Sequence, residues 1–181
     1  MKNLKSILKI SLLTLMLSTN LYAKDNLIVN TNAFQNGGFI PKKYTCEGDN
    51  ISPNVSWFRF PSNTKSFVLI MDDPDAPMGT FTHWIVYDIP PNINSLEEGF
   101  SRNSRFSNGI KQGVNDFGKV GYDGPCPPKH QTHRYFIKVI ALDIESLNLP
   151  SRIDRETLDR ALSRYRNHII AEGYIYGLFR R

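Results

Sequence analysis

The stretch "SFVLIMDDPDAP", residues 66–77, decides how the chain is read. Ser66 to Met71 is a continuous apolar run, the pattern of a central buried strand. Asp72, Asp73 and Asp75 end it, and Pro74 and Pro77 lock the turn that follows. So much negative charge at the end of an apolar strand has three readings: a solvated turn, a metal site, or the wall of a pocket. Asp and Pro are common turn formers, so the stretch alone favours the turn.

The same pattern extends outward. "THWIVYDIPP" is a second strand, stopped by Pro90 and Pro91. "HRYFIKVIALD" mixes β-branched and aromatic residues and makes a third, and "YIYGLFRR" makes a last one. "FIPKKYTCEGDNISPNVSW" breaks into short extended pieces at Pro41, Gly48 and Pro53. Residues 92–124 are polar and glycine-rich. They are long for a plain loop, so they are expected to be functional or to carry short structure of their own. One helix stands out over residues 154–173, with Asp154 as cap and Gly173 as end. Leu158, Leu162, Tyr165 and Ile169 share its apolar face. Arg155, Arg160, Arg164 and Arg166 are interrupted by Glu156, Asp159 and Glu172, which reads as a solvated face rather than a nucleic-acid surface. These elements predict a mainly β fold, an antiparallel β-sandwich with a C-terminal helix.

The chain of 181 residues, 40% of them hydrophobic, fits one domain with a real core. Residues 1–23 differ from the rest. Lys2, Lys5 and Lys9 accompany a short apolar run that ends at the small residue Ala23, the layout of a signal peptide. The run is short for a bilayer span. The expectation is therefore an exported protein, periplasmic or secreted, with a domain over residues 24–181 and no membrane span after cleavage. Cleavage removes those three of the 22 basic residues, leaving 19 against 17 acids, a net of +2. That is weak charge for a nucleic-acid partner. Cys46 and Cys126 are an even pair in an exported chain and permit one disulfide. Free thiols remain the alternative, and neither cysteine sits in a zinc motif.

Candidate chemistry gathers around two proline-stiffened loops. His83 opens the strand after "DDPDAP", and His133 opens the strand within "YDGPCPPKHQTHRYF", residues 122–136. His83 alone reads as structural. Together with the loops the two histidines suggest one shared rim, since proline lowers the entropy cost of holding a loop ready for a ligand. The sequence has no G-x-S-x-G elbow, H-E-x-x-H pair, P-loop or G-x-G-x-x-G, and no nucleophile beside the Asp and His residues. A His/Asp hydrolase is therefore the lesser alternative to a binding protein. No compact spacing of metal ligands is present, so neither a metal nor another cofactor is expected.

"DDPDAP…THWIVYDIP", "GYDGPCPP…HRYFIKVIALD", "IPKKYTCEGDNISPNVSW" and "GVNDFGKVGYDGPCPP" closely resemble the bacterial branch of the phosphatidylethanolamine-binding protein family, over residues 39–177. The resemblance implies a Greek-key sandwich and a small surface cavity for phosphate or a phosphorylated head group of the phosphoethanolamine type. By motif it assigns Asp73, Pro74, Asp75, His83, Gly124, Pro125, one of Pro127 or Pro128, His133 and Tyr135 to that cavity. Cys126 within the prolines is a variation typical of the bacterial branch. A protein target, such as a protease inhibited through the cavity rim, is allowed by the resemblance, as is a homodimer. A carboxylate that accepts an imidazole N–H fixes the ring and favours its charged form. The expectation is that one aspartate does this to His83, and that both histidines and the Tyr135 hydroxyl meet the anion.

Overall fold

The structure, a computed structural model, describes residues 27–181. The segment read as an export signal, residues 1–23, lies outside the described residues. β1 (Ile28–Asn30), β2 (Val55–Phe58) and β5 (Ser95–Leu96) form one antiparallel sheet in the order β1-β2-β5. β3 (Ser66–Asp73), β4 (Phe81–Ile89), β6 (Lys111–Gln112), β7 (Thr132–Leu142) and β8 (Ile169–Arg180) form the second, in the order β6-β4-β3-β7-β8. Within this sheet β3, β4 and β6 follow one another, with β5 of the other sheet between β4 and β6 in the chain, and β7 returns to lie beside β3. That is the Greek-key arrangement, and the fold is an antiparallel sandwich as the sequence predicts. β5 and β6 both lie in the polar region 92–124, which does carry short structure of its own.

The apolar run of β3 is continuous because both of its faces are covered. Phe67, Leu69 and Met71 enter the core between the sheets with Trp57, Trp84, Val86 and Ile137. Val68 and Ile70 enter a second core with Ile85, Tyr87, Ile140 and Leu158, beneath the helix α1 (Arg155–Arg164). Alternation continues past the last apolar residue, so consecutive aspartates at the end of β3 belong to opposite faces.

α1 starts as predicted. Asp154 caps it by accepting the Thr157 amide at 2.8 Å. It ends at Arg164 and not at Gly173. A short turn, Arg166–His168, leads directly into β8, whose ladder with β7 runs from Ile169 to Arg180. Ile169 and Ile170 fit a strand as well as a helix, and eleven paired positions with β7 decide between them. Gly173 serves the strand: a Cβ there would stand 1.7 Å from the Leu27 carbonyl oxygen. Gly173→Ala is expected to cost about 1–3 kcal/mol through that overpacking, seen as a lower urea midpoint. An unchanged midpoint would contradict this account of the crossing. Among the described residues no helix is long and apolar enough to cross a membrane.

Candidate functional site

The three aspartates take three directions. Asp72 faces the helix side, where both of its oxygens accept from the Arg155 guanidinium and one from the Thr82 hydroxyl. Asp73 is buried on the other face. Its Oδ1 accepts the Asp75 amide at 2.9 Å and its Oδ2 faces His133 Nδ1 at 2.7 Å. Asp75 stays half-buried at the rim and holds Arg134 through that residue's amide, Nε and Nη2. The Arg134 hydrogen bonds hold the Asp75 carboxyl down to about 2.

His83 reaches the same face as Asp73 through a β-bulge. Met71 pairs with Trp84, but Asp72 pairs with Thr82 and Asp73 with Phe81, so His83 is one extra residue in β4. The extra residue re-aims its side chain. Trp84 and Val86 face the inter-sheet core, and strict alternation would send His83 to the helix side with Ile85 and Tyr87. Instead its ring stands edge-on to Tyr135 at 5.3 Å and to Phe117 at 5.5 Å, with Phe81 at 5.2 Å. The His133 ring, two residues before Tyr135 on the same face of β7, stacks on it at 6.5 Å. Asp73, His83, His133 and Tyr135 therefore form one cluster at an end of the sandwich.

Residues 122–127 form the cluster's wall. Their position is fixed from residues 44–50: the Gly124 amide donates to Asn50 Oδ1 at 2.7 Å, and the Cys46 amide donates to Pro125 O at 3.1 Å. Cys46 and Cys126 are joined by a disulfide. Gly124 has no room for a side chain, since a Cβ would meet the Tyr44 carbonyl oxygen at 2.1 Å. Asp123 gathers Asn50, Arg102, Asn115 and Lys119 on its carboxylate. Burial pushes that carboxyl up, but hydrogen bonds from Arg102, Asn115 and Asn50 outweigh it and hold it below the usual range.

The proton positions follow from the partners. His83 Nδ1 lies 2.7 Å from the Asp123 carbonyl oxygen, which can only accept, so Nδ1 carries a proton. Burial lowers the ring's proton affinity, and this outweighs the Asp123 carbonyl and the charges of Asp73, Asp72 and Asp123, which act the other way. His83 is thus a neutral ring whose Nε2 is an acceptor. The aspartate expected beside it is instead on His133, because β7 borders the end of β3 while the bulge turns His83 toward the Asp123 carbonyl. Both nitrogens of His133 are engaged by the protein, Nδ1 by Asp73 and Nε2 by Gln131 at 3.0 Å. Burial, then the charge of Asp73, holds the Tyr135 phenol well above its usual range, so it is a neutral O–H donor. Asp73 and the Cys126 amide are its polar neighbours, yet its hydroxyl has no partner at hydrogen-bonding geometry. Among the described residues, the sealed side-chain nitrogen and oxygen atoms without a partner belong to Trp57 and Tyr135. His83 Nε2 has no protein hydrogen-bond partner either, in a ring that is itself buried.

Of the residues predicted for the cavity, Asp73, His83, His133 and Tyr135 come together, with Gly124, Pro125 and Pro127 buried in the adjoining wall. Asp75 acts at the rim. Pro74 is exposed in the turn and lines a separate groove of about 930 Å³ with Asp72, Thr80, Arg134, Phe136 and Arg155. Gln131, Asn50, Asp123, Phe81 and Phe117 were not singled out from sequence. Only the strand position of Phe81, two residues before His83, carried any signal for them. Among the described residues no three His, Cys, Asp or Glu side chains group as metal ligands.

Fold and cluster together define a class: Greek-key sandwiches with a small polar site where the central strands end. A family model described as phosphatidylethanolamine-binding protein matches residues 30–180, and the chain belongs to that family, in its bacterial branch, a family of ligand-binding proteins. It is 54% identical over 154 residues to a UPF0098 protein of Aquifex aeolicus, covering 84% of this chain and 88% of that one. It is 41% identical over 126 residues to the UPF0098 protein YbhB of Escherichia coli, covering 66% of this chain and 80% of that one. The crystal structure of Escherichia coli YbcL, described as a new member of the mammalian PEBP family, superposes with a TM-score of 0.78 at 31% identity. It covers 86% of this chain and 99% of that one.

Proposed function

We propose that this protein is an exported binding protein that captures phosphate or a phosphorylated head group at the His83–Tyr135 cluster. The observation that carries the reading is the Tyr135 hydroxyl, a buried O–H donor without a partner at hydrogen-bonding geometry, beside the ring of His83, whose Nδ1 alone is taken by the protein. A buried donor left unpaired costs stability unless something else supplies an acceptor, and an anionic oxygen is the strongest acceptor available. The family's own description names a phosphorylated lipid head group, which agrees with that chemistry. The disulfide at the wall suits an oxidising compartment, in keeping with the signal-like residues 1–23.

Calorimetry of inorganic phosphate with wild type and Tyr135→Phe tests the site. The variant keeps the ring and loses the donor, and is expected to bind about tenfold to a hundredfold more weakly. Equal affinity in the two proteins would remove Tyr135 from the site and the reading with it.

A further inference from the structure

The two sulfurs of the disulfide sit in different surroundings. Cys46 lies in the exposed segment 46–49, whereas Cys126 is only partly exposed, between the buried residues Pro125 and Pro127. Arg181, which directly follows β8, donates from Nη1 to Cys126 Sγ at 3.0 Å. Its carbonyl oxygen accepts the His130 amide at 2.6 Å, so the main chain that carries this guanidinium is fixed beside the wall.

Thiol–disulfide exchange begins with a thiolate attacking one of the two sulfurs. Access and the quality of the departing thiolate decide which one. A neighbouring cation lowers a thiol's pKa, and the thiol of lower pKa leaves faster. Both factors point the same way here. Cys46 is the sulfur that solvent reaches, and Cys126 is the sulfur whose negative charge a guanidinium would hold.

We propose that Cys46 is a site of reversible S-thiolation: a low-molecular-weight thiol, as its thiolate, attacks Cys46 Sγ, and Cys126 departs as a thiolate held by Arg181. A new S–S bond joins the incoming sulfur to Cys46 as the Cys46–Cys126 bond breaks, and the electron pair of the broken bond leaves on Cys126. The incoming thiol is oxidised to the disulfide level and Cys126 is reduced. The return step is the reverse: the Cys126 thiolate attacks Cys46 and expels the small thiol. Hydrogen bonds keep the two segments together meanwhile, from the Cys46 amide to Pro125 O, from the Gly124 amide to Asn50 and from the Tyr122 hydroxyl to Tyr44 O. Closure is therefore intramolecular, at high effective concentration. The Cys126 amide is a polar neighbour of the Tyr135 hydroxyl, so the residue that gains the charge borders the cluster.

The test exposes the oxidised wild-type protein to reduced glutathione at about pH 8, close to an ordinary thiol's own pKa. Free thiols are then blocked with N-ethylmaleimide and both cysteines are mapped by non-reducing peptide mass spectrometry. The expected product carries glutathione on Cys46 and maleimide on Cys126, in at least about tenfold excess over the reverse. An even split, glutathione mainly on Cys126, or no adduct on either cysteine overturns the proposal, and no substituted chain has to fold for this result. Arg181 has a readout of its own, the rate at which iodoacetamide alkylates Cys126 in Cys46→Ser as pH is varied. That thiol is expected to ionise below the ordinary value of about 8.5. Adding Arg181→Gln should return it to that value, and Arg181→Lys should keep it low. A profile that Arg181→Gln leaves in place overturns the assignment of Cys126 as the departing sulfur held by Arg181.

Discussion

Cys46→Ala/Cys126→Ala is expected to unfold at a markedly lower temperature than wild type, by about 10 °C. The disulfide closes a loop of 80 residues, and the chain-entropy account gives such a bridge about 4 kcal/mol. For a domain of this size each kcal/mol moves the midpoint by about 2–4 °C. The loss would extend to the site. The bridge ties Cys126, inside the wall, to the segment that supplies the Asn50 and Cys46 contacts to Gly124 and Pro125. Phosphate affinity should therefore fall together with stability. Calorimetric melting in the presence and absence of dithiothreitol measures the first part without any substitution. A midpoint that reductant does not move, with reduction verified by thiol titration, would show that the wall is held by its hydrogen bonds alone.

The second large effect is Asp73→Ala. It strips the acceptor from His133 Nδ1 and from the Asp75 amide, both inside the fold, and removing one side of a buried polar pair costs about 3–5 kcal/mol. Its neighbours provide the controls. Asp72→Ala loosens α1 by releasing Arg155, at about 2 kcal/mol, and should leave phosphate affinity nearly unchanged. Asp75→Ala gives up a partly solvated pair with Arg134 and should cost under about 1 kcal/mol. Urea denaturation of the three variants should rank them in the order Asp73, Asp72, Asp75. Any other order would mean that the two faces of β3 are coupled more tightly than their separate partners indicate.

The strands were legible because burial on both faces writes an uninterrupted apolar run, as in Ser66–Met71, and because Pro90, Pro91 and the "GPCPP" cluster mark where runs stop. The residents of the site were legible as motifs: "DDPDAP", His83 and "GPCPP…HRY" do converge at one end of the sandwich. Their pairing was not. Sequence nearness suggested an aspartate for His83, whereas the sheet sets β7 against the end of β3 and gives Asp73 to His133. The bulge at His83 leaves no mark in the pattern, because inserting one residue among "FTHWIV" changes no residue type. The overlong helix has a similar cause. Ile169 lies four residues after Tyr165 and satisfies a helical stripe, and only the ladder with β7 assigns it to a strand.

The bulge carries a consequence for how this site tolerates mutation. The facing of His83 depends on the one residue by which β4 exceeds β3 between the pairs Asp72–Thr82 and Met71–Trp84. Point substitutions in the turn leave that count intact, so the histidine keeps its orientation through considerable sequence drift. The one residue between Thr82 and Trp84 is His83, so deleting the extra residue would let β4 run flat, preserve both cores, and remove the acceptor itself.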